Sequence, residues 1–228
     1  MKNTGARLFV SPHLDDAVFG CGQLIASSPG ALVVTLFAGD APKGVSPTRW
    51  DRECGFDEGD DVVTRRRDED RCALALLAAR PVWLDFRDDQ YGESAPVDVI
   101  ADALARVIEH EKPDIVHSPL GLFHSDHYRA SDASLALVDR FASLEWRLYE
   151  DAIYRRIPGA VEARLDGLRE RGFRFERDSP AFDAGAGTSK REAVACYASQ
   201  LRALATRAAN DDVFAPEAHW VVYREHRR

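Results

Sequence analysis

The stretch Leu8-Phe9-Val10-Ser11-Pro12-His13-Leu14-Asp15-Asp16-Ala17-Val18-Phe19-Gly20-Cys21 decides how the chain is read. Leu8–Val10 is an apolar run suited to a buried strand, and Ala17-Val18-Phe19 with Leu24-Ile25-Ala26 gives the apolar face of a helix starting near residue 16. Between strand and helix stand His13, Asp15 and Asp16, side chains that bind metals or move protons. A tight turn lets them converge on one point. In an open parallel sheet, the turn beyond a strand's carboxyl end is where ligands bind. An aspartate here also serves as an ordinary helix cap, but a cap needs one carboxylate and no histidine.

Working outward, Ala31–Phe37, Pro81–Phe86 and Asp114–Ser118 read as further buried strands, and Trp146–Tyr154 begins as one. Helices are predicted over Val62–Ala79, Val97–His110, His124 to about Phe141, and Ala160–Arg171. Gly172–Arg177 and His219–Tyr223 close the strand set. Ser189-Lys190-Arg191-Glu192 matches a capping box opening a helix to about Ala208. Residues 40–61, rich in Pro, Gly and charge, read as a flexible loop over the site and the seat of specificity. Strand–helix alternation predicts an α/β fold with a mostly parallel sheet covered on both faces. No linker or repeat divides residues 1–228, which are expected to form one domain.

The second polar cluster repeats the logic of the first. Asp114–Ser118 feeds Pro119-Leu120-Gly121-Leu122-Phe123, and then His124-Ser125-Asp126-His127 opens a helix. Two acid–histidine clusters at the carboxyl ends of two strands can meet in space. His13, Asp16 and His127 make a two-histidine, one-carboxylate metal set with a position left for water. Zn2+ suits hydrolysis there, and Fe2+ suits the same donors. A metal so held lowers the pKa of water and polarises a carbonyl. Asp15 is then placed as general base. His124 steadies an oxyanion or protonates the leaving amine, with Asp126 holding its tautomer or capping the helix. His110 and His117 read as a solvated helix end and a strand position. His219 and His226 carry no functional reading.

Composition narrows the partners. The net charge of −8 argues against nucleic acid, although Arg65-Arg66-Arg67 offers a local basic pocket. No run of about 18 apolar residues points to a membrane. Four cysteines without a C-x-x-C pair predict neither a disulfide framework nor a cysteine zinc site. The expected compartment is the cytoplasm.

Ser11-Pro12-His13-Leu14-Asp15-Asp16-Ala17 and His124-Ser125-Asp126-His127 together resemble the paired motifs of the PIG-L / LmbE-like de-N-acetylases. Tyr149-Glu150-Asp151-Ala152-Ile153-Tyr154 is similar to a later family motif, as is Lys190 followed by Tyr197–Leu201. The resemblance implies a Rossmann-like three-layer fold and zinc-dependent removal of an N-acetyl or N-acyl group from an amino-sugar compound. It implies His13, Asp16 and His127 as ligands, Asp15 as base, His124 as helper and Asp126 as its support. Arg66 and Asp88 resemble substrate-contacting positions. Ala17 departs from the glutamate common there, and the turn before His124 is one residue short of a common form. The partner implied is a small N-acetylated amino sugar or glycoside, with a homo-oligomer left open. Two rival readings keep the site: an amidase on thiol-sugar conjugates or acylated natural products, and a non-catalytic, metal-dependent sugar-binding protein.

Overall fold

Leu8 and Val10 face one side of the central sheet and Phe9 the other, so one short strand feeds both layers of the core. The computed structural model describes residues 5–92, 94–205 and 210–225. The strands are β1 (Arg7–Ser11), β2 (Leu32–Thr35), β3 (Arg80–Trp83), β4 (Ile115–Pro119), β5 (Glu145–Tyr149), β6 (Phe173–Asp178) and β7 (His219–Arg224). They form one sheet in the order β3-β2-β1-β4-β5-β7-β6. Strands β3, β2, β1, β4 and β5 run parallel, whereas β7 is antiparallel to both β5 and β6. The helices are α1 (Asp16–Ala26), α2 (Arg49–Cys54), α3 (Val62–Leu76), α4 (Val97–Glu111), α5 (Ser125–Leu135), α6 (Ala160–Glu170), α7 (Ala186–Ala195) and α8 (Ala198–Ala205).

Residues of α4, α5 and α6 pack on the face of Leu8, Val10, Val34 and Val116. Residues of α1, α3, α7 and α8 pack on the face of Phe9 and Val33. This is the expected three-layer, mostly parallel α/β architecture. From β1 the chain winds outward through β2 and β3, then returns to the opposite side through β4 and β5. Sheets of this kind bind ligands where the winding reverses, beyond the carboxyl ends of the strands, here β1 and β4. Among the described residues, no helix is long and apolar enough to cross a membrane.

Several local expectations are corrected. Residues 40–61 are not a featureless loop. Thr48 and Asp51 form a reciprocal capping box that starts α2, and Gly55 ends it at φ 90°. The helix expected to reach Phe141 stops at Leu135 and continues as turns. Ser189 opens no helix, because α7 starts three residues earlier after Gly185. The chain expected to be one helix to Ala208 is divided near Cys196-Tyr197. There the Tyr197 hydroxyl donates to buried Asp70 at 2.7 Å, and Glu69 accepts from the Ser199 amide at 2.8 Å. A carboxylate of α3 thereby satisfies the open end of α8. Residues 206–208 and His226 lie outside the described residues.

Cys72 and Cys196, 124 residues apart, form a disulfide with Cα atoms 6.0 Å apart. Sequence spacing predicted no pairing, since only the packing of α3 beside α7 brings the two together. Cys21 and Cys54 are buried thiols, as expected of small core residues.

Helix α1 is held in an unusual way. Lys190 of α7 donates to the Phe19 carbonyl at 2.7 Å and to Glu217 Oε1 at 2.9 Å. Glu217 in turn accepts from the Gln23 amide at 2.6 Å and the Leu24 amide at 3.2 Å. Phe19 carbonyl and Gln23 amide are the two groups that form one rung of a regular helix. A buried ion pair therefore reaches that rung from outside. Glycine makes the approach possible: a Cβ on Gly22 would lie 2.7 Å from the Lys190 stem, and one on Gly20 would lie 2.6 Å from the Tyr149 ring.

His117 is fully buried in β4, stacked on Phe9, and its Nε2 accepts from the Arg7 guanidinium at 2.9 Å. Burial first, then His219, Arg7 and Arg147, hold its pKa well below 6.5. The unfolded chain therefore takes up a proton that the folded chain refuses, so this stability is present above about pH 6.5 and lost below it. Denaturant titrations at pH 7.5 and 5.5 are expected to show a loss approaching 1.4 kcal/mol per pH unit from this group. His117→Gln, which still offers Arg7 an acceptor, is expected to flatten the profile. Replacing Cys72 and Cys196 by serine is expected to lower stability by about 2–4 kcal/mol in the same assay.

Candidate metal centre and active site

The turn after β1 is built by Ser11. Its hydroxyl donates to the His13 carbonyl at 2.6 Å and accepts from the Ala17 amide at 2.9 Å, folding the intervening residues over the start of α1. Asp15 occupies the N-cap position yet makes no side-chain capping bond, so the bland reading of it as a cap fails. Asp16 Oδ2 accepts from the His13 amide at 2.9 Å, lies 3.1 Å from His13 Nδ1, and lies 3.2 Å from His127 Nε2. The β1 turn and the α5 start thus meet on one carboxylate oxygen, as two matching strand-to-helix turns should.

Each histidine offers its other nitrogen to a second carboxylate. His127 Nδ1 is 2.5 Å from Asp151 Oδ1, and His13 Nε2 is 3.1 Å from Asp126 Oδ2. Asp151 Oδ2 also accepts from the amides of Gly121 and Leu122, which fixes it beneath α5. His13, Asp16 and His127 can present one donor atom each within 4.8 Å of one another. Ring nitrogens backed by carboxylates are the usual arrangement of metal-bound histidine. The donor set therefore fits a divalent metal.

The electrostatics agree. Burial works against a charged His13, but Asp88, Asp126 and Asp16 outweigh it and raise its pKa well above 6.5. Burial likewise opposes a charged His127, and Asp16 and Asp151 raise it to about 9. The pocket floor attracts positive charge, as a metal centre must. The two neighbouring carboxylates diverge. Burial and then Asp16 push Asp15 up to about 7, whereas His127 and His13 overcome burial and hold Asp16 well below 3.8.

His124 is the N-cap of α5, and its Nδ1 accepts from the Asp126 amide at 3.2 Å. Burial, His13 and His127 lower its pKa. A neutral ring whose Nδ1 accepts carries its proton on Nε2. The carboxylate of Asp126 is bonded to His13, Arg129 and the Asp89 amide, so its tie to His124 runs through its backbone. Phe123, between them and β4, has φ 61°, and the His124 amide donates to the Leu122 carbonyl at 2.7 Å across it. A three-residue turn with positive φ is rare and strained, at a cost of about 1–3 kcal/mol.

Asp88 and Arg66 also reach the pocket, which encloses about 670 Å³. Arg66 is 7% exposed, sits 3.8 Å from Asp88 Oδ2, and leaves its Nε without a hydrogen-bond partner among the described residues. Tyr154, Ile153 and Leu204 line the same pocket, together with Trp50 of α2 and Gln200 of α8. The Trp50 indole donates to Gln200 at 3.1 Å. Trp50 lies in the stretch read as a loop over the site and Gln200 within Tyr197–Leu201, but neither was given a role. Asp151 lay inside the quoted Tyr149–Tyr154 stretch without a role, although its place beyond β5 is the signal that could have found it.

The chain belongs to the GlcNAc-PI de-N-acetylase (PIG-L) family, whose model matches residues 8–138. It is similar to a solved deacetylase triple mutant, Orf2*T, from the teicoplanin biosynthetic pathway, at 30% identity and TM-score 0.82, covering 98% of this chain and 100% of that one. A deacetylase–teicoplanin complex from the same pathway matches at 28% identity and TM-score 0.78, covering 97% of this chain and 99% of that one. The A40926 pseudoaglycone deacetylase Dbv21 matches at 26% identity and TM-score 0.78, covering 98% and 99%. No curated protein matches the chain by sequence.

Asp151→Ala frees the His127 ring and removes a buried acceptor. It is expected to weaken zinc binding about 10–100-fold, measured by competition with a chromogenic chelator. Unchanged affinity would show that Asp151 does not support a metal ligand.

Proposed function

We propose that this protein is a zinc-dependent amide hydrolase that removes an N-acetyl group from an amino sugar carried on a larger compound. The observation that carries the reading is the Asp15 carboxylate, which makes no capping bond, lines the pocket and adjoins the His13–Asp16–His127 set. The named activities of the Orf2*T and Dbv21 deacetylases support the reaction class and the kind of substrate.

His13, Asp16 and His127 would hold the metal, which when bound supplies Lewis-acid activation of water and of the acyl carbonyl. Asp15 accepts a proton from the attacking water as the new C–O bond forms. The Nε2–H of His124 donates to the oxygen on which negative charge develops. The nitrogen regains a proton from Asp15 as the C–N bond breaks, so that an amine leaves and acetate is released. Arg66 and Asp88 take the sugar hydroxyls, the guanidinium donating and the carboxylate accepting. Asp126 positions His13 by its carboxylate and His124 by its amide. We place the reaction within one domain spanning residues 1–228 and in the cytoplasm, where cellular thiols would reduce a bond such as Cys72–Cys196.

Elemental analysis of protein purified without chelators is expected to give about one zinc per chain, lost in the His13→Ala, His127→Ala double variant. Asp15→Asn is expected to retain the metal and lower kcat about 10²–10⁴-fold on an N-acetylated amino sugar. Turnover at the parent rate would reject Asp15 as base.

A further inference from the structure

Phe123 is 68% exposed, more than any other large hydrophobic side chain among the described residues. It also sits in a backbone conformation that side-chain-bearing residues rarely adopt, φ 61° in a three-residue turn. Glycine would occupy that position without strain. The fold gains little packing from a ring so exposed. Strain and exposure together, immediately before His124, point to a function for this ring rather than to a role in packing.

The surroundings indicate which part of a ligand. The Phe123 ring lies 5.2 Å from the Tyr154 ring, centroid to centroid, at 33°. Tyr154 lies 5.1 Å from the His127 ring and lines the pocket, as do Ile153 and Leu204, and Phe123 stands beside Tyr154 just outside that lining. An aromatic surface therefore runs from the metal-site histidine outward to a ring open to solvent. Arg66 and Asp88 supply polar groups to the same pocket. A sugar seated with its amide at His124 and His127 would carry any substituent outward along Tyr154 and Phe123. We propose that Phe123, with Tyr154, is an aglycone platform that selects substrates in which the amino sugar bears a flat aromatic group. This rests on the deacetylase reading and adds a specificity determinant to it.

The test uses phenyl and methyl glycosides of N-acetylglucosamine with the parent protein, Phe123→Gly and Phe123→Trp, following acetate release. Phe123→Gly removes the ring and relaxes the turn, so loss of folding is not expected; its thermal midpoint is measured alongside. The parent is expected to favour the phenyl glycoside about tenfold in KM, the size of an aromatic stacking contact. In Phe123→Gly that KM ratio is expected to fall toward one, and in Phe123→Trp to persist. A ratio unchanged in Phe123→Gly would overturn the platform. So would an equal loss of kcat on both glycosides, which would assign Phe123 to holding His124 instead. Calorimetric binding of the two glycosides to the same three proteins decides the question independently of turnover. If the parent hydrolyses neither glycoside, the deacetylase reading falls while the binding ratio still judges the platform.

Discussion

One oxygen atom ties the two halves of the site together. Asp16 Oδ2 takes the His13 amide and stands within about 3.2 Å of a nitrogen from each of two histidines. That convergence requires β1 and β4 to be neighbours, and it requires both following helices to start within a few residues of the strand ends. The parallel pairing Leu8↔Val116 provides the first condition, and the Ser11 turn and the His124 cap provide the second. A slip of one residue in either strand would turn its side chains to the other face and scatter the donors.

Around that oxygen, similar groups are driven to different states by their partners. Asp15 and Asp16 are adjacent in sequence, yet one is shifted toward neutrality and the other away from it. His124 is kept neutral, whereas His13 and His127 face carboxylates on both ring nitrogens. Environments that separate the pKa values of like groups divide acid, base and ligand roles among them. The same sorting explains Asp126, whose carboxylate serves His13 while its amide orients His124.

The sequence made the sheet legible because its inner strands are short apolar runs bounded by turns, and the ligand candidates because histidines and acids stand at strand ends. What it concealed depends on contacts between distant segments. The Thr48–Asp51 box was masked by surrounding Pro and Gly. The break between α7 and α8 is made by Asp70 and Glu69, more than a hundred residues away. The Cys72–Cys196 bond and the Trp50–Gln200 contact have the same origin, and no local periodicity reports them. Asp151 was visible as a residue and unassigned as a function, since only the parallel pairing of β4 with β5 brings its partner His127 near.

The ion pair that enters α1 bears on how the protein is made. Gln23 finds its acceptor in Glu217, 194 residues further along the chain. During synthesis the first helix therefore emerges before the Lys190 and Glu217 side chains that hold this rung from outside have been made. Chains fold largely from their amino end as they are made, but here the helix that begins with Asp16 is anchored by a segment made almost two hundred residues later. Between the making of β5 and the making of Glu217, the nascent chain thus holds all five parallel strands while the first helix still lacks its carboxylate anchor.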